Sequence, residues 1–167
     1  MRLFRSESIA ERFSGKPIRA VDITGRSGSQ LKIELANARR WSSNLAQELL
    51  ASGDLKNPSR ERVNTILVQA RDFGIRDYEP DYNVVTHKAQ KEGLSLCPQT
   101  TGAELALLDA DFIENGMWAD VLSKPISGRR GAPGLFGLYR GGGSLELDGR
   151  WTGNAWDPGY FVVAGLR

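Results

Sequence analysis

Leu31, Ile33 and Leu35 alternate with Gln30, Lys32 and Glu34, a period of two that marks a half-buried strand. Ile18 to Thr24 upstream reads as a second strand, and Gly25-Arg26-Ser27-Gly28-Ser29 between them has the chemistry of a turn. The pattern therefore predicts an N-terminal β-hairpin with one face on a core. Ser6 to Phe13 precedes it as a short opening helix, stopped by Gly15 and Pro17. Helical spacing then takes over. Ser42-Ser43-Asn44 can cap a helix carrying Leu45, Leu49 and Leu50, with Gly53 as its left-handed stop. A longer helix is expected from Asn57 to Gly74. Asn57 caps it, Pro58 occupies the first turn where a missing N–H costs nothing, and Val63, Ile66, Leu67 and Ala70 recur on one face.

Pro80 and Asp81 begin another helix, with Val85 and Ala89 on its inner side and Gly93 at its end. Thr101-Gly102-Ala103-Glu104 matches a capping box, in which the Thr101 hydroxyl accepts from the Glu104 N–H and the Glu104 side chain reaches back. Leu105, Leu108 and Phe112 mark the buried face of that helix, which closes near Gly116. Beyond it, Met117 to Leu122 reads as a strand and 123–134 as a glycine- and proline-rich loop. Leu135 to Arg140, Ser144 to Asp148 and Tyr160 to Leu166 follow as three short strands of an antiparallel meander. The expected fold class is α+β. Residues 1–92 carry the hairpin with three to four helices, and residues 93–167 carry a helix plus a small antiparallel sheet, the two able to form one compact domain.

Size and composition add bounds. A chain of 167 residues buries roughly two-thirds of its unfolded surface, so it can fold without disulfides or metals. Cys97 is the only cysteine, which excludes an internal disulfide and a cysteine-rich zinc site and suits a reducing compartment. The opening residues lack the apolar stretch of about 7–15 residues that a secretory signal needs. No run reaches the roughly 18 apolar residues of a membrane span. The expected location is the cytoplasm. A net charge of +2 is too small to point to nucleic acid, and the pairs Arg39/Arg40, Arg60/Arg62 and Arg129/Arg130 are dispersed among acidic residues.

Candidate chemistry is sparse. His87 is the only histidine, and a thiolate mechanism needs it beside Cys97 in space; a buried structural cysteine is the preferred reading. Asp109, Asp111 and Glu114 could hold a cation or form an acid–base pair, but Asp109 and Asp111 point apart on a helix, so a solvated helix end is preferred. Gly25-x-x-Gly28 and Gly128-Arg129-Arg130-Gly131 lack the Gly-Lys-Ser/Thr ending of a P-loop. The latter could still meet phosphates through its two guanidinium groups. Trp151, Trp156 and Tyr160 gather near the end of the chain, either as a flat aromatic platform for a ligand or as plugs of a small core, the core role being favoured.

The order of features from Gly93-Leu-Ser-Leu-Cys-Pro98 through the Thr101–Glu104 box to Trp151, Trp156 and Tyr160-Phe161-Val162-Val163 resembles uncharacterised small bacterial proteins. The C-terminal half of these is similar to a C-type-lectin-like domain. Trp156-Asp157-Pro158 departs from the sugar-binding Trp-Asn-Asp signature, so no calcium or carbohydrate site carries over. The resemblance implies a scaffold of loops on a small sheet that serves binding. The leading expectation is a non-catalytic binding or protein-interaction module with no cofactor. Its site would comprise Trp151, Trp156 and Tyr160 with Arg129 and Arg130 on the rim, and its partner would be another protein or a small ligand. The alternatives are a small hydrolase or metal-dependent enzyme using Asp109, Asp111 and Glu114, and a structural subunit of a phage or mobile element.

Overall fold

The computed structural model describes residues 13–75, 81–153 and 159–165; the opening helix expected over Ser6 to Phe13 falls almost wholly outside them. The described residues build a seven-stranded mixed sheet and four α-helices, an α+β fold. The strands are β1 (Ile18–Thr24), β2 (Arg60–Gln69), β3 (Trp118–Val121), β4 (Ile126–Ser127), β5 (Pro133–Tyr139), β6 (Glu146–Trp151) and β7 (Tyr160–Ala164). The helices are α1 (Gly28–Asn37), α2 (Asn44–Leu50), α3 (Tyr82–Lys91) and α4 (Thr101–Leu107).

Two stretches exchange the identities expected from their spacing. Residues 31–35 are helical, not the second arm of a hairpin. Leu31 and Leu35, four apart, are fully buried, whereas Ile33 is 60% exposed. The helix wins because Ser27 and Gln30 form a capping box: the Ser27 hydroxyl accepts from the Gln30 N–H at 3.3 Å and the Gln30 side-chain Oε1 accepts from the Ser27 N–H at 2.8 Å. Conversely, residues 60–69 are a strand, not a helix. Val63, Thr65, Ile66 and Val68 are branched at Cβ and favour a pleated backbone. The 66–68 segment is buried on both faces of the sheet, which erases the alternation that would have betrayed it. An antiparallel pair does form on the N-terminal side, but it joins β1 to β2, with Ile18 opposite Ile66 and Thr24 opposite Arg60.

The C-terminal strands are likewise not a simple meander. β5 and β6 make the expected hairpin across Gly141–Gly143. β7 instead lies between β2, to which it is antiparallel, and β3, to which it is parallel. The sheet order is β1-β2-β7-β3-β5-β4, with β6 on the other edge of β5, so one sheet runs across the 92/93 division.

One face carries Val21, Ile23, Leu67, Val162, Phe136 and Leu138 and is covered by α1, α2 and α4. On the opposite face, Ile66, Val68, Phe161 and Val163 pack under Val85 and Ala89 of α3 and under Phe13, Phe73 and Ile75. Helix α4 starts where expected but ends at Leu107 and not near Gly116, and it begins by another device. Thr100 occupies the cap without a side-chain bond. The Thr101 hydroxyl donates to Pro98 O at 2.7 Å. The buried Glu104 carboxylate accepts from the N–H and hydroxyl of Thr24, at 3.1 and 2.5 Å, and so ties α4 to the end of β1. Leu108, expected inside, is 48% exposed because the helix has ended before it.

Candidate functional site

Helix α2 sets the site. Its cap is Ser43, whose hydroxyl accepts from the Ala46 N–H at 3.1 Å. Ala46, Leu49 and Leu50 are buried beneath it. Two glycines of the sheet let it approach closely: a Cβ at Gly149 would stand 2.7 Å from Leu45 Cγ, and one at Gly134 would stand 2.9 Å from Leu49 Cδ2. With its inner face against β5 and β6, α2 turns Asn44, Gln47 and Glu48 toward an open trough of about 990 Å³. Lys32 of α1 contributes to one wall, and Arg129 and Trp151 to the other.

That far wall is a glycine-bounded turn pinned from two sides. The Arg129 N–H donates to Glu48 Oε1 at 2.6 Å and the Ser127 N–H donates to Asp54 Oδ2 at 2.8 Å. Gly128 lies so close under the Trp151 ring that a Cβ there would come within 2.7 Å of it. Arg130 follows with a left-handed φ of 62°. Both carboxylates facing the trough are therefore occupied by backbone donors. The Arg129 guanidinium has no ion pair among the described residues. Past Lys32, Asn44 and Gln47 the trough continues into a second hollow of about 630 Å³, lined by Arg40, Trp41 and Ser42.

The residues singled out by sequence do not all meet. Trp151 and Arg129 share the trough, and Arg130 sits exposed on the same turn. Trp151 also packs, half-buried, against the main core, so it acts as plug and wall at once. Tyr160 opens β7 opposite Gln69 and Ala119 and lines a separate shallow hollow with Arg71 and Ile75. Trp156 lies outside the described residues.

The groups proposed for catalysis are held elsewhere. Asp109 accepts from Arg140 Nη1 and from the Leu145 N–H, both at 2.8 Å. The Leu145 N–H and the Arg140 guanidinium together hold its carboxyl below the usual range, against the opposing effect of desolvation. Asp111 is largely exposed and meets Arg19 at 3.5 Å. No group of three or more His, Cys, Asp or Glu among the described residues could hold a metal ion. Cys97 is buried with Sγ 3.7 Å from Val162 O, and burial pushes its thiol up, so it stays protonated. His87 is exposed on α3.

One cluster escaped the sequence reading. Trp118 Nε1 and Arg150 Nε each donate to Asp120 Oδ1 at 3.0 Å, across three strands. The Arg150 guanidinium stands 5.8 Å from the centre of the Trp118 ring. Trp118 in turn covers Gly137, where a Cβ would lie 2.6 Å from it. Desolvation pushes the Asp120 carboxyl up although Arg150 opposes the shift. The signal lay in the alternation of Trp118-Ala119-Asp120 and the register that sets Asp120 opposite Gly137, which only the sheet order reveals. Among the described residues no helix is long and apolar enough to cross a membrane. Comparison with protein-family models, curated proteins and solved structures finds no significant match to this chain.

Proposed function

We propose that this chain is a non-catalytic binding module whose ligand enters the trough along α2. The observation that carries the reading is the trough itself. Four separated segments converge on it, its two carboxylates are tied to backbone donors, and Lys32, Arg129 and the Trp151 edge are left for an occupant. A concave surface with a few convergent polar groups and an aromatic wall is the usual form of a ligand site. The geometry favours binding over catalysis: among the described residues Asp109 is held by Arg140 and the Leu145 N–H, Cys97 is buried against Val162 O, and His87 is exposed on another helix. A protonated, buried Cys97 suits a reducing cytoplasm.

Two-dimensional NMR of the ¹⁵N-labelled protein against a library of small polar and aromatic fragments tests this. The expected result is a set of hits that shift the side-chain amides of Asn44 and Gln47 and the indole N–H of Trp151. Hits confined to the Trp118–Asp120–Arg150 face, or none at millimolar fragment, would overturn it.

A further inference from the structure

We propose that the Arg40–Trp41 end of the trough recognises a phosphorylated ligand bearing a flat ring, in chemical class a nucleoside monophosphate. This deepens the trough reading and rests on it. Arg40 is placed by the end of α1: Arg39 takes a left-handed φ of 55°, the Arg39 N–H donates to Ala36 O and the Arg40 N–H donates to Leu35 O at 2.8 Å. Those two bonds form a Schellman-type stop that fixes the Arg40 backbone. Trp41 is fixed from the other side, because its carbonyl accepts from the Leu147 N–H and the next N–H but one, that of Ser43, donates to Leu147 O, both at 3.0 Å. A rigid segment thus presents both side chains.

The Arg40 side chain makes no hydrogen bond to a described residue. Its Nε is buried with no hydrogen-bond partner, and the guanidinium makes no ion pair with a described residue. Asp109, whose carboxyl feels Arg40 through space, already takes Arg140 and the Leu145 N–H. A guanidinium that lines a hollow without a hydrogen bond or ion pair to a described residue leaves its terminal nitrogens for a ligand, and an oxyanion is the group they fit. Lys32 is the second cation on this hollow, Ser42, Asn44 and Gln47 add neutral polar groups, and no carboxylate lines it. A guanidinium fork with a nearby ammonium is the usual means of holding phosphate. Trp41, 53% exposed beside it, offers the face on which a planar ring stacks.

The test is calorimetry and NMR on the full chain with adenosine monophosphate, adenosine and inorganic phosphate as separate probes. Adenosine monophosphate is expected to bind, with shifts at Trp41 and Lys32, and each fragment of it to bind at least about tenfold more weakly. Arg40→Met should abolish binding, Arg40→Lys should retain part of it, and Trp41→Ala should bring the nucleotide down to the affinity of inorganic phosphate. Melting curves of the three variants establish that they fold. Absence of nucleotide binding, binding no tighter than inorganic phosphate, or binding indifferent to Arg40→Met would each overturn the inference. Fragment shifts at Trp151 and Gln47 that persist in Arg40→Met would keep the trough reading while this one fell. Nucleotide shifts at Arg40 and Trp41 without any fragment at Trp151 would do the reverse.

Discussion

Arg140 shows how much one side chain can hold. Its guanidinium donates to Asp109 Oδ1, to the carbonyls of Ile113 and Ala110, and to Gly143 O, at 2.6 to 2.9 Å. Arg140→Met leaves these acceptors unpaired in a partly buried site, and the expected cost is about 2–3 kcal/mol, read from urea unfolding. The two shifted carboxylates should respond to pH in opposite senses. The folded-state value of Asp109 is lowered, so its stabilisation is present above the unfolded value of about 3.9 and is lost as pH falls through the folded one. The value of Asp120 is raised, so the native state keeps a proton that the unfolded chain releases above about 3.9, and stability declines as pH rises through that window. Stability of the parent relative to Asp109→Asn should therefore grow from pH 3 to 6, and relative to Asp120→Asn should shrink. Slopes of the same sign would refute the assignment. None of this was legible in sequence, where Asp109 reads as a solvated helix end. Its partners lie 31 and 36 positions away and are set by the β5–β6 hairpin.

At the scale of elements, short apolar runs mislead, and caps are reliable only in part: Asn57–Pro58 opens no helix, the Thr101–Glu104 box does not form, and Gly53 is not the stop of α2. Helices α2 and α3 stood where Ser43 and Asp81 predicted them, because a cap is a local bond between neighbours. Residues 28–37 and 60–69 were exchanged, since three apolar residues at alternate positions fit a strand while two of them four apart fit a helix. Burial of Leu31 and Leu35 with Ile33 outside decides between these. Leu35→Ala should then cost about 2–5 kcal/mol, whereas Ile33→Ser should stay within about 0.5 kcal/mol. A strand would make the two equally damaging. Gly28→Ala belongs to the same scale. A Cβ there would stand 1.9 Å from the Leu50 carbonyl oxygen, so α1 and α2 would separate; the expected signature is a lowered melting temperature and altered amide shifts along Asn44, Gln47 and Glu48 at the trough. The candidate trough was half legible: Trp151 and Arg129 were named and both line it, while Lys32 and Gln47 carry no signal until α1 and α2 are packed side by side.

For the whole molecule the governing fact is that β7 lies in the middle of the sheet. Nothing in the apolar run Tyr160-Phe161-Val162-Val163 distinguishes an edge from a centre, so the expected meander was a fair reading of local signals. Residues 65–69 pair with 160–164, and 119–121 pair with 160–162; the fold is closed by contacts of long sequence separation, which slows folding. A chain truncated after Thr152 should fail to unfold cooperatively and should bind a hydrophobic dye, in contrast to the full chain. Retention of a sharp transition would show that the sheet does not depend on β7. During synthesis the same arrangement has a cost. Until residues 160–164 leave the ribosome, β2 and β3 each present an unpaired edge flanked by apolar residues, and such edges invite pairing with another chain. Nascent chains of this protein should accordingly be held by ribosome-associated chaperones until Ala164 has left the ribosome, then released in a single step as β7 slots home.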